Sequence, residues 1–295
     1  MVFQSLITNT GSETAQSQTV NLAASSLSKV KFSPSAMTNT LIGMEVIMAL
    51  TIGSGATAGN ATTVGSDIYT TKITSGSSTT LNISGIRQVQ DFYHIKTGQT
   101  LSDVALTPVA SSNITSTLSF VVPFIADPTQ KFVVEFDLNG YQTLSGSNAT
   151  SGSMTITIRY IFGVPPDVYD AWTVVPTPSN LNSGVDVNIA QYINDARAAY
   201  SLWIDVTSDS NLSYYKFENG KEIVYDSLDA TSLTSLEDYL PQYNHLSGLF
   251  DLPILVGVVI DSNANTSIKP ILNLSSSLAP VIFLKVQPTA SRKGE

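Results

Sequence analysis

Two histidines, a run of carboxylates and a glycine-rich loop are where side chains of catalytic type collect in this 295-residue chain. His94 and His245 are the only histidines; neither lies in an H-x-x-x-H pattern and neither accompanies a G-x-S-x-G elbow, so neither a zinc pair nor a Ser-His-Asp relay is specified. Between Asp205 and Asp261 ten acids face only Lys216 and Lys221. Two of them held about 5–10 Å apart in a groove would suit glycoside hydrolysis. Their spread over several elements reads instead as a solvated acidic face, and calcium ligation near Asp205 and Asp209 lacks EF-hand spacing. The stretch Gly53-Ser54-Gly55-Ala56-Thr57-Ala58-Gly59 follows a strand pattern, but its G-x-G-x-x-x-G spacing has no helix after it, so it reads as a corner loop rather than a phosphate cradle. Seven N-x-Ser/Thr sequons begin at Asn60, Asn82, Asn113, Asn148, Asn211, Asn265 and Asn273; the abundance of Ser and Thr explains most of them. The expectation is no catalytic residue, no cofactor-binding residue and no metal ligand.

The elements around these residues fall on either side of a proline seam, Gly163-Val164-Pro165-Pro166-Asp167-Val168. Adjacent prolines fix φ and remove two donors, so neither helix nor central strand runs through. The order of features repeats across it. An extended stretch (Phe3 to Thr8, then Trp172 to Val175) precedes a polar loop and Val20-Asn21-Leu22-Ala23 or Val187-Asn188-Ile189-Ala190. Then come an apolar strand (Leu41 to Ile52, then Tyr200 to Val206), a polar strand pair (Asp67 to Ile83, then Tyr214 to Tyr225), a short helix and closing apolar strands. A fixed series of features points to internal duplication.

Strand signals dominate. Met44 to Leu50, Phe132 to Phe136, Thr155 to Tyr160 and Ile254 to Ile260 are short and bounded by turn formers; the third alternates Thr and Ile, and the fourth is apolar enough for a strand buried on both faces. Many short strands imply a sandwich or barrel. Ile86, Val89 and Tyr93 predict a helix between Ser84 and Gly98; Leu233, Leu236, Leu240 and Tyr243 predict one ended by Gly248, with Thr234 and Glu237 at capping-box spacing. A further helix is expected over Ile189 to Tyr200.

Composition narrows the function classes. A net charge of -9 with 14 scattered basic residues argues against nucleic-acid binding. With no cysteine, disulfides and thiolate chemistry are excluded. Charged residues at 13% and slightly positive mean hydropathy suit large lateral interfaces. Neither a signal-peptide pattern nor a run of about 18 apolar residues occurs, so synthesis and folding in a cytoplasm are expected.

Two β-sandwiches of about 150 residues, each with a short helix among its strands and no catalytic groups, resemble the double jelly-roll major capsid proteins of tailless icosahedral viruses with an internal membrane, a family that includes the adenovirus hexon and corticovirus coats. The resemblance implies an all-β chain of two tandem eight-stranded jelly rolls with a few short helices: residues 1–163, residues 168–287 and a short basic tail, 288–295. It implies a virion protein without enzymatic activity that forms pseudo-hexagonal homotrimers. Its partners would be copies of itself, minor capsid and vertex proteins, and the internal membrane, approached through Arg292 and Lys293. Two rival readings are an exterior spike or adhesin, with an aromatic-lined site around Tyr214, Tyr215 and Phe217, and a jelly-roll carbohydrate-active enzyme using acids of the Asp205 to Asp261 region.

Overall fold

The computed structural model describes residues 15–33, 40–53, 62–75, 78–107, 112–126, 131–145, 149–163, 171–177, 179–193, 197–237, 244–255, 257–260 and 267–287. The chain divides into two compact units, Met1–Asp167 and Val168–Glu295. Residues 164–168 of the seam, Phe3 to Thr8 and the tail with Arg292 and Lys293 lie outside the described residues.

Unit 1 contains β1 (Ala15–Asn21), β2 (Ser28–Phe32), β3 (Thr40–Ile52), β4 (Thr62–Thr63), β5 (Ile68–Ser75), β6 (Ser78–Ile83), α1 (Gly85–Thr97), β7 (Ala105–Leu106), β8 (Ile114–Ala126), β9 (Phe132–Leu138), α2 (Tyr141–Ser145) and β10 (Gly152–Gly163). Its two main sheets have the orders β1-β10-β3-β8 and β2-β9-β5-β6, and β4 and β7 form a small extra pair. Unit 2 contains β11 (Ala171–Pro176), β12 (Val187–Asn188), β13 (Ala199–Asp205), β14 (Leu212–Asn219), β15 (Glu222–Leu228), α3 (Ala230–Glu237), β16 (Leu249–Leu252), β17 (Ile268–Leu274) and β18 (Val281–Val286). Its sheets run β11-β18-β13-β16 and β12-β17-β14-β15. Setting aside the β4–β7 pair, the described residues of each unit form eight antiparallel strands in the orders first-eighth-third-sixth and second-seventh-fourth-fifth. That is the strand order of a jelly roll, and it occurs twice.

Period-two alternation builds the cores. Along β3, Met44, Val46, Met48 and Leu50 are buried while Glu45, Ile47 and Ala49 turn away; along β10, Ile156, Ile158 and Tyr160 point inward and Thr155, Thr157 and Arg159 outward. Tyr160 meets Phe132 of the opposite sheet edge to face, with centroids 6.2 Å apart. In unit 2, Leu202, Ile204, Ile282 and Leu284 of one sheet pack with Tyr215, Phe217, Leu272 and Leu274 of the other.

The helices sit where the repeat requires, α1 and α3 each between the fifth and sixth strands of its unit. In α1 the Ser84 N–H donates to Gln88 Oε1 at 2.7 Å, and Gly98 closes the helix in the left-handed region with φ 68°, its N–H on the His94 carbonyl. Val89 and Phe92 are buried, whereas Ile86 and Tyr93 are only half-buried. In α3, Asp229 caps the helix by accepting the Ser232 N–H at 2.8 Å. Thr234, expected at the cap, lies inside the helix and donates to the Ala230 carbonyl, and Gly248 stands well beyond the helix in the turn before β16.

Three other expectations are corrected. Val20-Asn21 ends a first strand while Val187-Asn188 is a second strand, so the two segments are not counterparts. Of the described residues between Ile189 and Tyr200, Ile189–Tyr192 form a 3-10 turn, with Asn188 Oδ1 accepting the Ala190 N–H, and Ala199 and Tyr200 belong to β13, so no helix spans the segment. The described residues of the Ile254 to Ile260 stretch form no strand: the sixth strand ends at Leu252 before Pro253, Gly257, at φ 82°, donates its N–H to the Ala199 carbonyl, and Val259 makes one isolated bridge to Ala198.

Candidate functional site

A 3-10 turn precedes the fourth strand in both units, Gly65–Asp67 before β5 and Asp209–Asn211 before β14. Each turn is tied to the connection between the fifth and sixth strands by one carboxylate. In unit 1 the carboxylate comes from that connection: Asp103 Oδ1 accepts the Gly65 N–H at 2.8 Å and also the Val104 N–H at 2.8 Å. In unit 2 it comes from the turn: Asp209 Oδ1 accepts the Gly248 N–H at 2.7 Å and lies 2.9 Å from His245 Nε2. Burial works against the Asp209 charge, but the Gly248 N–H, His245 and Ser247 together hold its carboxyl below the usual range. Gly248 is obligatory here. Its φ is 84°, and a Cβ would lie 2.4 Å from the backbone of Thr207 and Ser208.

The turn of unit 1 carries a different acid. Asp67 is fully buried, and neither carboxyl oxygen has a hydrogen-bond partner among the described residues. Burial pushes its carboxyl up to about 8, so at neutral pH it is held protonated.

The clasps and other local bonds of the fold engage residues singled out as chemical. His94 is buried on α1, with Nδ1 3.3 Å from the Gln99 carbonyl, and His245 belongs to the unit 2 clasp. Asp205 accepts the Thr207 N–H at 2.8 Å, so Asp205 and Asp209 are both spent on the loop around them. Glu218 pairs with Lys216 at 2.6 Å and Lys269 at 3.6 Å, Asp226 accepts the Ser227 hydroxyl, and Asp229 is the α3 cap. Among the described residues no three His, Asp or Glu side chains gather to hold a metal ion. The aromatic triplet does not form a platform: Tyr215 and Phe217 face the core, and Tyr214 on the other face donates to Asp186, which also accepts from Asn273. The corner-loop glycine Gly53 donates its N–H to the Ser151 carbonyl, and a Cβ there would collide with the Ser151 side chain.

What remains are the sheet faces turned away from the cores, and here the two units part. The outward face of β1-β10-β3-β8 is a lattice of hydroxyls. Ser17 meets Thr157 at 2.9 Å, Thr19 meets Thr155 at 2.9 Å and Thr51 meets Thr115 at 2.6 Å, beside an ion pair between Arg159 and Glu45 at 3.1 Å. On the corresponding sheet of unit 2, the residues alternating away from the core include Trp172, Val174, Trp203 and Phe283; Phe283 is fully buried and Trp203 nearly so. The second sheet of unit 1 is charged instead, with Lys31 on Glu135 and Lys29 on Asp137 across β2 and β9. No signal in the sequence linked these positions, because each row is assembled from strands far apart in the chain. Among the described residues no helix is long and apolar enough to cross a membrane.

No protein-family model and no curated protein matches this sequence. Solved structures do match. A crystal structure of the STIV MCP is 15% identical, with a TM-score of 0.60 over 94% of this chain and 96% of that one. The major capsid protein of bacteriophage PM2 is 10% identical, with a TM-score of 0.54 over 95% of this chain and all of that one. A chain of the PBCV-1 virus capsid is 10% identical, with a TM-score of 0.51 over 95% of this chain and 86% of that one. The likeness at such low identity is one of fold, and with the strand order found twice it makes this chain a double jelly roll.

Proposed function

We propose that this chain is the structural coat subunit of an icosahedral virion, with no catalytic activity. The observation that carries the reading is the jelly-roll strand order completed twice, in a chain aligned over more than nine tenths of its length with capsid proteins of two viruses. Duplication has a physical use in a shell. Three copies of a doubled sandwich present six similar blocks, so a three-fold particle fits a site with six neighbours while each block makes nearly equivalent contacts. The working form is therefore a homotrimer of pseudo-hexagonal outline, tiling over an internal membrane, with minor capsid and vertex proteins as further partners. Arg292 and Lys293 are the groups assigned to the membrane side; two cations near an anionic surface contribute about 2 kcal/mol. The domains are the jelly rolls 1–163 and 168–287, followed by the tail 288–295.

Light scattering of the purified chain, followed by negative-stain imaging, tests this. The expected result is a mass three times the chain's 31.4 kDa and a six-sided outline. A monomer with saccharide affinity or glycosidase activity would overturn it.

A further inference from the structure

Four of the seven N-x-Ser/Thr sequons fall on described residues, and the fold treats them differently. Asn273 is 7% exposed, with its Nδ2 donating to Asp186 at 2.7 Å, and the hydroxyl of its Ser275 is bonded to the Ser210 carbonyl. Asn211 donates its Nδ2 to the Val206 carbonyl at 2.8 Å, inside the loop that carries the unit 2 clasp. Asn113 is exposed, but the hydroxyl of its Thr115 is zipped to Thr51 at 2.6 Å within the paired strands β3 and β8. Asn82 differs on both counts. It lies exposed near the end of β6, the edge strand of its sheet, while Ile83 beside it is buried as an anchor. Ser84, which completes the sequon, is extended with φ -111° and ψ 114°; its N–H donates to Gln88 Oε1, and its hydroxyl makes no capping bond to α1.

Transfer of a glycan to asparagine needs the amide nitrogen and the hydroxyl two residues on to be reached together. We propose that Asn82 is a glycan acceptor of this protein. The co-substrate is a sugar activated at C1 by a diphosphate. Asn82 Nδ2 forms the new bond to C1, the C1–O bond breaks with its electron pair leaving on the diphosphate, and the displaced amide proton passes to a base of the transferase. The proposal stands independently of the coat reading, since it rests on the sequon and its surroundings alone.

Glycopeptide mapping by mass spectrometry of the chain from its native source tests it, alongside the variants Asn82→Gln and Ser84→Thr produced in the same cells. The expected result is a glycan on Asn82, lost in Asn82→Gln and kept in Ser84→Thr, with Asn211 and Asn273 bare. Unmodified Asn82, or occupancy at Asn211 or Asn273 equal to that at Asn82, overturns it. Asn82→Gln changes only an exposed side chain, and an unaltered thermal midpoint after enzymatic deglycosylation checks that the loss is not a folding failure.

Discussion

The clasps at the fourth strand show how two copies of one fold solve the same problem with their charges exchanged. In unit 1 the tying carboxylate, Asp103, reaches from the fifth-to-sixth connection to the Gly65 N–H; in unit 2, Asp209 reaches from the turn to the Gly248 N–H. Topology fixes that the two segments must meet, but either side can supply the acceptor. The exchange leaves an asymmetry. The turn acid of unit 2 is stabilised as an anion, and that of unit 1, Asp67, is held neutral by burial.

The widest test of this contrast takes the two outer sheet faces. Phe283→Ala, at a buried position, is expected to lose as much as about 5 kcal/mol in denaturant unfolding; a loss near that of Thr157→Ala would erase the distinction between the faces. Asp67→Asn comes next. The folded carboxyl titrates at about 8 against 3.8 for the ordinary group, so the contribution of Asp67 to stability is fully present below pH about 4 and is lost as pH rises through about 8. At pH 7 the substitution removes a penalty of about 4 kcal/mol, and at pH 4 very little. A midpoint that rises equally at both pH values would show that the gain is not electrostatic. Gly248→Ala should cost about 3 kcal/mol, because the left-handed backbone and the close Thr207–Ser208 backbone both oppose a Cβ.

Smaller effects sharpen the picture. Asp209 is lowered, so its contribution is present above the ordinary carboxylate range and is lost as pH falls through the folded value, the reverse of Asp67. With its side chain 42% exposed, screening limits the cost of Asp209→Asn to about 1 kcal/mol. Urea titrations of both variants below pH 4 and between pH 4 and 8 would separate the two acids. Thr157→Ala, on the hydroxyl lattice, should cost less than about 0.5 kcal/mol.

Much of the fold was legible because alternation and turn residues are local. Thr155 to Tyr160 and Met44 to Leu50 read as strands and are strands, and α1 lies between Ser84 and Gly98 as expected, with Gly98 closing it in the left-handed region. Local pattern failed where composition was right and context was not. The apolar Ile254 to Ile260 run follows Pro253 and carries Gly257, and among its described residues the pairing is confined to a single bridge, Val259 with Ala198. Thr234 had the spacing of a cap, yet Asp229, three residues before Ser232, holds that place. The clasps were invisible for another reason: Gly65 and Asp103, or Asp209 and Gly248, are nearly forty residues apart, and no spacing rule links them.

In each unit the opening strand lies against the closing one, β1 along β10 and β11 along β18. A ribosome must therefore deliver the whole of a unit before its sheet can be sealed, so folding waits on the last strand made and contact order is high. The first half reaches that point while the second is still being translated, and a nascent chain stalled between them would carry one finished sandwich and one with no seam to close.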